Sequence, residues 1–150
     1  MNLEDLKKEI PFKWRVQSSN QWGASCVAYI DSRQVQDLLD EVCGAGSWQC
    51  KFSEHKGNLF CEIGILCGDQ WIWKSDCGTE SHVEKQKGEA SDAFKRASVM
   101  WGIGRFLYSK KIVKLPVKEK NNKFVPYSEK TGKFVMNADD ISKWCNALSK

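Results

Sequence analysis

The sequence predicts an α+β fold: a small antiparallel β-meander packed by helices on one side. Three strand-like runs follow one another between residues 48 and 77, separated only by short glycine turns. A helical stripe precedes them, Val35, Leu38, Leu39 and Val42, at i, i+3, i+4 and i+7. The longest helical pattern in the chain comes directly after them.

The elements follow in order. Leu3 to Glu9 reads as a short helix ended before Pro11, and residues 13–24 carry no clear period. Cys26 to Ile30 reads as a strand. Asp31 with Gln34 three residues on is a capping-box pair that opens the first amphipathic helix, and Gly44 and Gly46 stop it. Strands then cover Trp48–His55, Leu59–Leu66 and Trp71–Cys77, turning at Lys56-Gly57-Asn58 and Gly68-Asp69, where glycine supplies the positive φ of a tight hairpin. Trp71 and Trp73 share one face of the third strand. A half-buried strand usually turns its aromatics to the core, so they are expected inward, with base stacking as the alternative.

Ser81 and Glu84 form a second capping box, opening a helical pattern that runs to about Tyr108. Ala90, Ala93, Phe94, Ala97, Met100, Trp101, Gly104 and Leu107 fall on one face; the other reads Asp92, Lys95, Arg96, Val99, Ile103, Phe106. That second face starts charged and ends apolar, which places its end in the core or against another subunit. Lys111 to Val117 is strand-like, a hairpin joins Lys123–Tyr127 to Lys133–Met136, and a final helix starts at Asp139 or Asp140 and carries Ile141, Trp144, Cys145 and Leu148 on one stripe. With no repeat, low-complexity stretch or linker, the expectation is one domain over 1–150.

Composition narrows the function. The 150 residues carry a net charge of +4, but residues 110–133 hold eight lysines against Glu119 and Glu129, a local net of +6. A basic segment on a near-neutral body suits a polyanion. No run approaches a membrane span and the charged N-terminus lacks the apolar run of a signal peptide, so the expected compartment is the cytoplasm, the host's if the chain is phage-encoded. Seven cysteines without a CxxC pair read as reduced thiols used as small hydrophobes, not as a metal site.

A catalytic constellation is hard to assemble. His55 and His82 sit in no triad context, and the chain has no Walker A loop, dinucleotide fingerprint or HExxH. The carboxylates Asp31, Glu62, Asp76, Glu80, Glu84, Glu89 and Asp92 leave a metal-dependent nuclease as the enzyme alternative, and a purely structural, ring-forming interaction protein as the other. Nucleic-acid binding has Arg33 in the first turn of one helix, Lys95 and Arg96 midway along another, Lys85 and Lys87, and the basic segment. Taken singly, Arg33 could pair with Asp37 and Arg96 with Asp92 at i, i+4, each for about 0.3–0.5 kcal/mol.

The segment Lys87-Gly88-Glu89-Ala90-Ser91-Asp92-Ala93-Phe94-Lys95-Arg96-Ala97, with Trp101-Gly102-Ile103-Gly104 after it, closely resembles the signature helix of the Rad-fifty-two/Rad-twenty-two family of single-strand annealing proteins, whose phage branch is called Sak. Tyr29-Ile30-Asp31-Ser32-Arg33-Gln34-Val35, Gly44-Ala45-Gly46-Ser47-Trp48 and Cys77-Gly78-Thr79-Glu80-Ser81 occur in the family's order, so the resemblance covers roughly residues 10–108. It implies a β-β-β-α core assembling into rings or arcs. Single-stranded DNA would lie in a basic groove, annealed without ATP, cofactor, metal or catalytic residue. It assigns Arg33, Lys95 and Arg96 to that groove, and Val99 stands where the family has a further arginine. Lys74, Lys85 and Lys87 are the nearest candidates for the family's second DNA site, while Lys118, Lys120 and Lys123 rest on charge alone. The expected partners are single-stranded DNA, further copies of the chain, and a single-strand-binding protein or exonuclease, with no membrane.

Overall fold

A computed structural model describes residues 1–78 and 85–150, with side chains described outside 79–87. The second capping box, Ser81 and Glu84, and His82 lie outside the described residues. Those described form an α+β fold of three helices and three small antiparallel sheets, arranged in two compact units.

The first unit comprises residues 1–10 and 30–106. Both halves of the Asp31 capping box form: the Gln34 amide donates to Asp31 Oδ1 at 2.9 Å and the Asp31 amide to Gln34 Oε1 at 3.0 Å. Helix α1 (Ser32–Cys43) follows, buries Val35, Leu38 and Leu39, and ends at Gly44 with φ 91°. A 3₁₀ turn at Leu3–Lys7, in place of the expected helix, buries Leu6 and packs on α1.

The meander comes next: β3 (Trp48–His55), β4 (Asn58–Cys67) and β5 (Gln70–Cys77), in that order in the sheet. Helix α2 (Lys85–Met100) packs across β4 and β5, giving the β-β-β-α core that the resemblance implies. Cys61, Ile63 and Ile65 face the helix with Ala93, Phe94 and Ala97 opposite, all buried, and the Trp101 indole donates to the Ile63 carbonyl at 3.0 Å. Gly78 marks a close approach. A Cβ there would clash with the Glu89 carbonyl oxygen and stand 2.8 Å from the Ala93 nitrogen, so the chain just past β5 meets α2 backbone to backbone.

The structure corrects two expectations in this unit. The helix stops at Met100, eight residues early, because Gly102 and Gly104 take φ of 102° and 80°, and a 3₁₀ turn (Arg105–Ser109) follows. Ile103 therefore leaves the helical face it shares in sequence and is fully buried, so it offers no surface to another subunit. Trp71 and Trp73 also do not face the core. Their neighbours Lys74 and Asp76 contact α2 residues, so by strand alternation the tryptophans point to the opposite face. There Trp73 lies over Gly64 with the Lys51 ammonium 4.1 Å from its ring, and Trp71 stays 38% exposed.

The second unit comprises residues 11–29 and 107–150. Strands β1 (Lys13–Asn20) and β2 (Gly23–Tyr29) form a hairpin, and β6 (Val113–Leu115) pairs with β2. Strand β1 occupies the stretch that shows no period in sequence. A bulge between Val16 and Ser18 resets the alternation, hiding the strand. Strands β7 (Val117–Lys120), β8 (Lys123–Ser128) and β9 (Lys133–Phe134) make the third sheet. Helix α3 (Ala138–Leu148), capped by Asn137, lays Ile141 and Cys145 on Trp14, Ala24, Cys26, Val113 and Leu115. Ser142 ties it to β1, accepting from the Trp14 amide at 3.0 Å and donating to its carbonyl at 3.2 Å.

Candidate nucleic-acid interface

In the first unit, the start of α1 meets α2. The Ser32 and Ser91 hydroxyls lie 2.7 Å apart and share a hydrogen bond. Arg33 follows Ser32 and is exposed, while Lys95 stands one turn beyond Ser91 on α2. Lys95 thus lies about 5.4 Å along the α2 axis from the Ser91 contact, and Arg96 one residue further. The hydrogen bond thus joins the two helices that carry Arg33 and the Lys95-Arg96 pair.

Arg96 has a partner that sequence spacing does not reveal. Its Nε lies 3.9 Å from Asp76 Oδ2 on β5, with side chains 50% and 35% exposed. Lys74, two residues before Asp76 on the same face, reaches the end of α2: its ammonium donates to the Met100 carbonyl at 3.3 Å and lies 4.5 Å from the centre of the Trp101 ring. Arg105, which no sequence motif singles out, shares this end. Its Nε donates to the Val99 carbonyl at 2.8 Å and its Nη2 to the Met100 carbonyl at 3.1 Å. Two cations thus meet the carbonyl end of α2, where the helix dipole favours them. Arg105 also puts a guanidinium beside Val99, the position at which the resemblance implies a further arginine. The one signal in the sequence is that Arg105 follows the glycine break; nothing in local spacing predicts its fold back onto α2.

Lys85 and Lys87 lie in the first turn of α2, and their side chains fall outside the described residues. Among the described residues, no three His, Cys, Asp or Glu side chains gather where a metal ion could be held. No helix among them is long and apolar enough to cross a membrane.

Lys118, Lys120 and Lys123 belong to the second unit, in the β7-β8-β9 sheet. Lys120 pairs with Lys123 across a two-residue turn, Asn121-Asn122, whose φ values of 51° and 65° are those of a type I′ hairpin. Lys118 pairs with Val125, and Tyr127 with Phe134 on β9. Directly opposed residues share a face and alternate residues return to it, so Lys118, Lys120, Lys123, Tyr127 and Phe134 all stand on one side. The Lys118 ammonium lies 4.2 Å from the Tyr127 ring centre and the Lys120 ammonium 4.9 Å from that of Phe134. The two rings meet edge to face at 5.1 Å and 71°. Lys118 also comes within 3.8 Å of Glu129 Oε1. Charge alone singles out these lysines in the sequence; that Tyr127 and Phe134 share their face shows only in the register of the three strands.

The model of the Rad52/22 family of double-strand break repair proteins matches residues 1–65 and 56–125. The single-stranded DNA-binding protein DdrA of Deinococcus deserti is 33% identical over 119 residues, an alignment covering 72% of this chain and 59% of the relative. DdrA of Deinococcus radiodurans is also 33% identical over 119 residues, covering 72% and 57%. The chain thus spans less than two thirds of the length of these relatives. No solved structure matches it. Its β-β-β-α unit and a family match over most of its length agree: the chain belongs to the Rad52/22 family of double-strand break repair proteins.

Proposed function

We propose that the chain binds single-stranded DNA and anneals complementary strands in recombination and repair, acting as an oligomer and without catalytic chemistry, metal or nucleotide hydrolysis. The observation that carries this reading is the Ser32–Ser91 hydrogen bond, which ties the first turn of α1, where Arg33 lies, to α2, the helix of Lys95 and Arg96. Membership of the family supports it, as does the single-stranded DNA binding for which the DdrA relatives are named. Partly exposed apolar side chains of the first unit, Phe52, Ile72 and Met100, supply surface for contact between copies.

The mechanism is electrostatic and statistical. Each copy neutralises a few phosphates, a weak interaction that an oligomer multiplies along one strand. A strand held on a regular track, with its bases free to pair, meets its complement at a lower entropic cost than a coil does. Watson–Crick pairing supplies specificity and driving energy. A single-strand-binding protein and an exonuclease are the natural partners, since one covers and the other creates the substrate strand. A fluorescence annealing assay with light scattering tests the reading: annealing should persist in EDTA and without ATP, and the particle should be much larger than 17.1 kDa. Annealing abolished by EDTA, or a monomer, would contradict it.

A further inference from the structure

We infer that the outer face of the β7-β8-β9 sheet is a base-stacking platform for single-stranded DNA, with Tyr127 and Phe134 as the rings on which bases stack; this rests on the reading of the chain as a single-strand binder. The other face of the sheet already serves the core. Pro126 is buried there, and Val117 packs against the cluster around Trp14. Tyr127 and Phe134 stand on the opposite side, half-buried, among three lysines.

The chemistry matches a single strand better than a duplex or a protein. A duplex presents phosphates and hides base faces; a single strand presents both. Here cations and ring faces alternate on one surface. The ammonium–ring interactions are exposed and individually weak, about 0.5–1 kcal/mol. An incoming base can therefore displace the ammonium from its ring and leave it to meet the adjoining phosphate. The ring planes cross at 71°, so each ring offers its face to a different base. A groove of about 670 Å³ opens beside Phe134, with Lys130, Lys133, Lys143 and Trp144 in its wall alongside Asp140, a size that suits a nucleotide. Glu129 near Lys118 is the carboxylate that must give way.

The test uses the full chain and two strands of equal length and phosphate count: oligo(dT) and an abasic strand. The parent is expected to bind oligo(dT) at least about fivefold more tightly than the abasic strand, since stacking contributes about 1–3 kcal/mol per base. The Tyr127→Leu/Phe134→Leu double variant should lose that preference and keep the parent's salt slope. Lys118→Gln/Lys120→Gln/Lys123→Gln should weaken both strands alike and flatten the slope. A parent that binds neither strand sinks the single-strand reading itself. A parent that binds, with the base preference intact in the leucine variant, overturns the platform alone. Photo-crosslinking of the parent to 5-iodouracil strands needs no variant: the peptide holding Tyr127 or Phe134 should be labelled, and labels confined to other peptides would overturn the platform.

Discussion

Arg96 Nε lies 3.9 Å from Asp76 Oδ2, an ion pair that joins helix α2 to the last strand of the meander. Sequence spacing offers Asp92 as the natural partner, one turn back on the same helix; the fold supplies a carboxylate from a strand edge as well. With both groups substantially exposed, such a pair contributes about 0.2–1 kcal/mol. The guanidinium can therefore exchange this carboxylate for a phosphate without a large loss of stability.

Arg96→Ala and Asp76→Asn separate the two roles. Arg96→Ala should slow annealing and reduce the logarithmic salt slope by about 0.7, the share of one neutralised phosphate, with stability within about 1 kcal/mol of the parent. Asp76→Asn should cost no more stability yet anneal at least as fast as the parent, because it removes the competing carboxylate. Equal falls in annealing for the two variants would assign Arg96 to holding the sheet. Annealing rates and denaturant midpoints on both decide between the roles.

In the second unit, neutralising Lys118, Lys120 and Lys123 should weaken binding uniformly across strand sequences, lowering the salt slope by about 0.7 for each phosphate left without its lysine. Titrations of several homopolymers at three salt concentrations would show it. An unchanged slope would leave these lysines as a solvated face.

Gly78→Ala tests the packing that positions α2. The added Cβ meets backbone atoms of Glu89 and Ala93, which cannot swing aside as a side chain would. The sheet and helix must part, at a cost of about 1–3 kcal/mol. Urea unfolding should show a lowered midpoint at constant m-value, and annealing should fall with it.

The cysteines differ in reactivity. All seven are free thiols, with Cys26, Cys61 and Cys145 buried. A hydrogen bond from Cys61 lowers the exposed Cys50 thiol to about 7, while that same bond and burial push Cys61 up. Because the thiolate is the nucleophile, Cys50 alkylation should rise through about pH 7, well before an ordinary thiol would respond. Burial raises Cys26 and Cys145, which should stay unmodified in the native protein. Mass-spectrometric mapping after brief iodoacetamide treatment between about pH 6 and pH 9 checks the order.

Much of the first unit is legible in the sequence because its signals are local. The Asp31 capping box, the α1 stripe and the glycine turns of the meander each work within a few residues. The signals that mislead are those whose meaning depends on distant partners. Trp101-Gly102-Ile103-Gly104 keeps helical spacing in sequence, yet Gly102 at φ 102° ends the helix. Alternation places Trp71 and Trp73 on one face but cannot say which face the helix covers. Strand β1 is mostly polar and bulged, and β7 has Val117 as its one apolar residue, so neither carries a period strong enough to read. Among the candidate site residues, Arg33, Lys95 and Arg96 follow from the resemblance. Asp76, Arg105, Tyr127 and Phe134 emerge only when the chain folds back on itself.

If Arg33 on α1 and Arg96 on α2 serve one strand of DNA, removing either should cripple annealing without disturbing the fold. The decisive experiment compares annealing of complementary oligonucleotides by the parent, Arg33→Ala and Arg96→Ala, with light scattering and melting temperature recorded on the same samples. The parent should anneal in EDTA without ATP. Both variants should be strongly slowed, with particle size and melting temperature close to the parent's. Annealing at the parent rate by both variants would contradict the assignment of these two arginines to a shared DNA path.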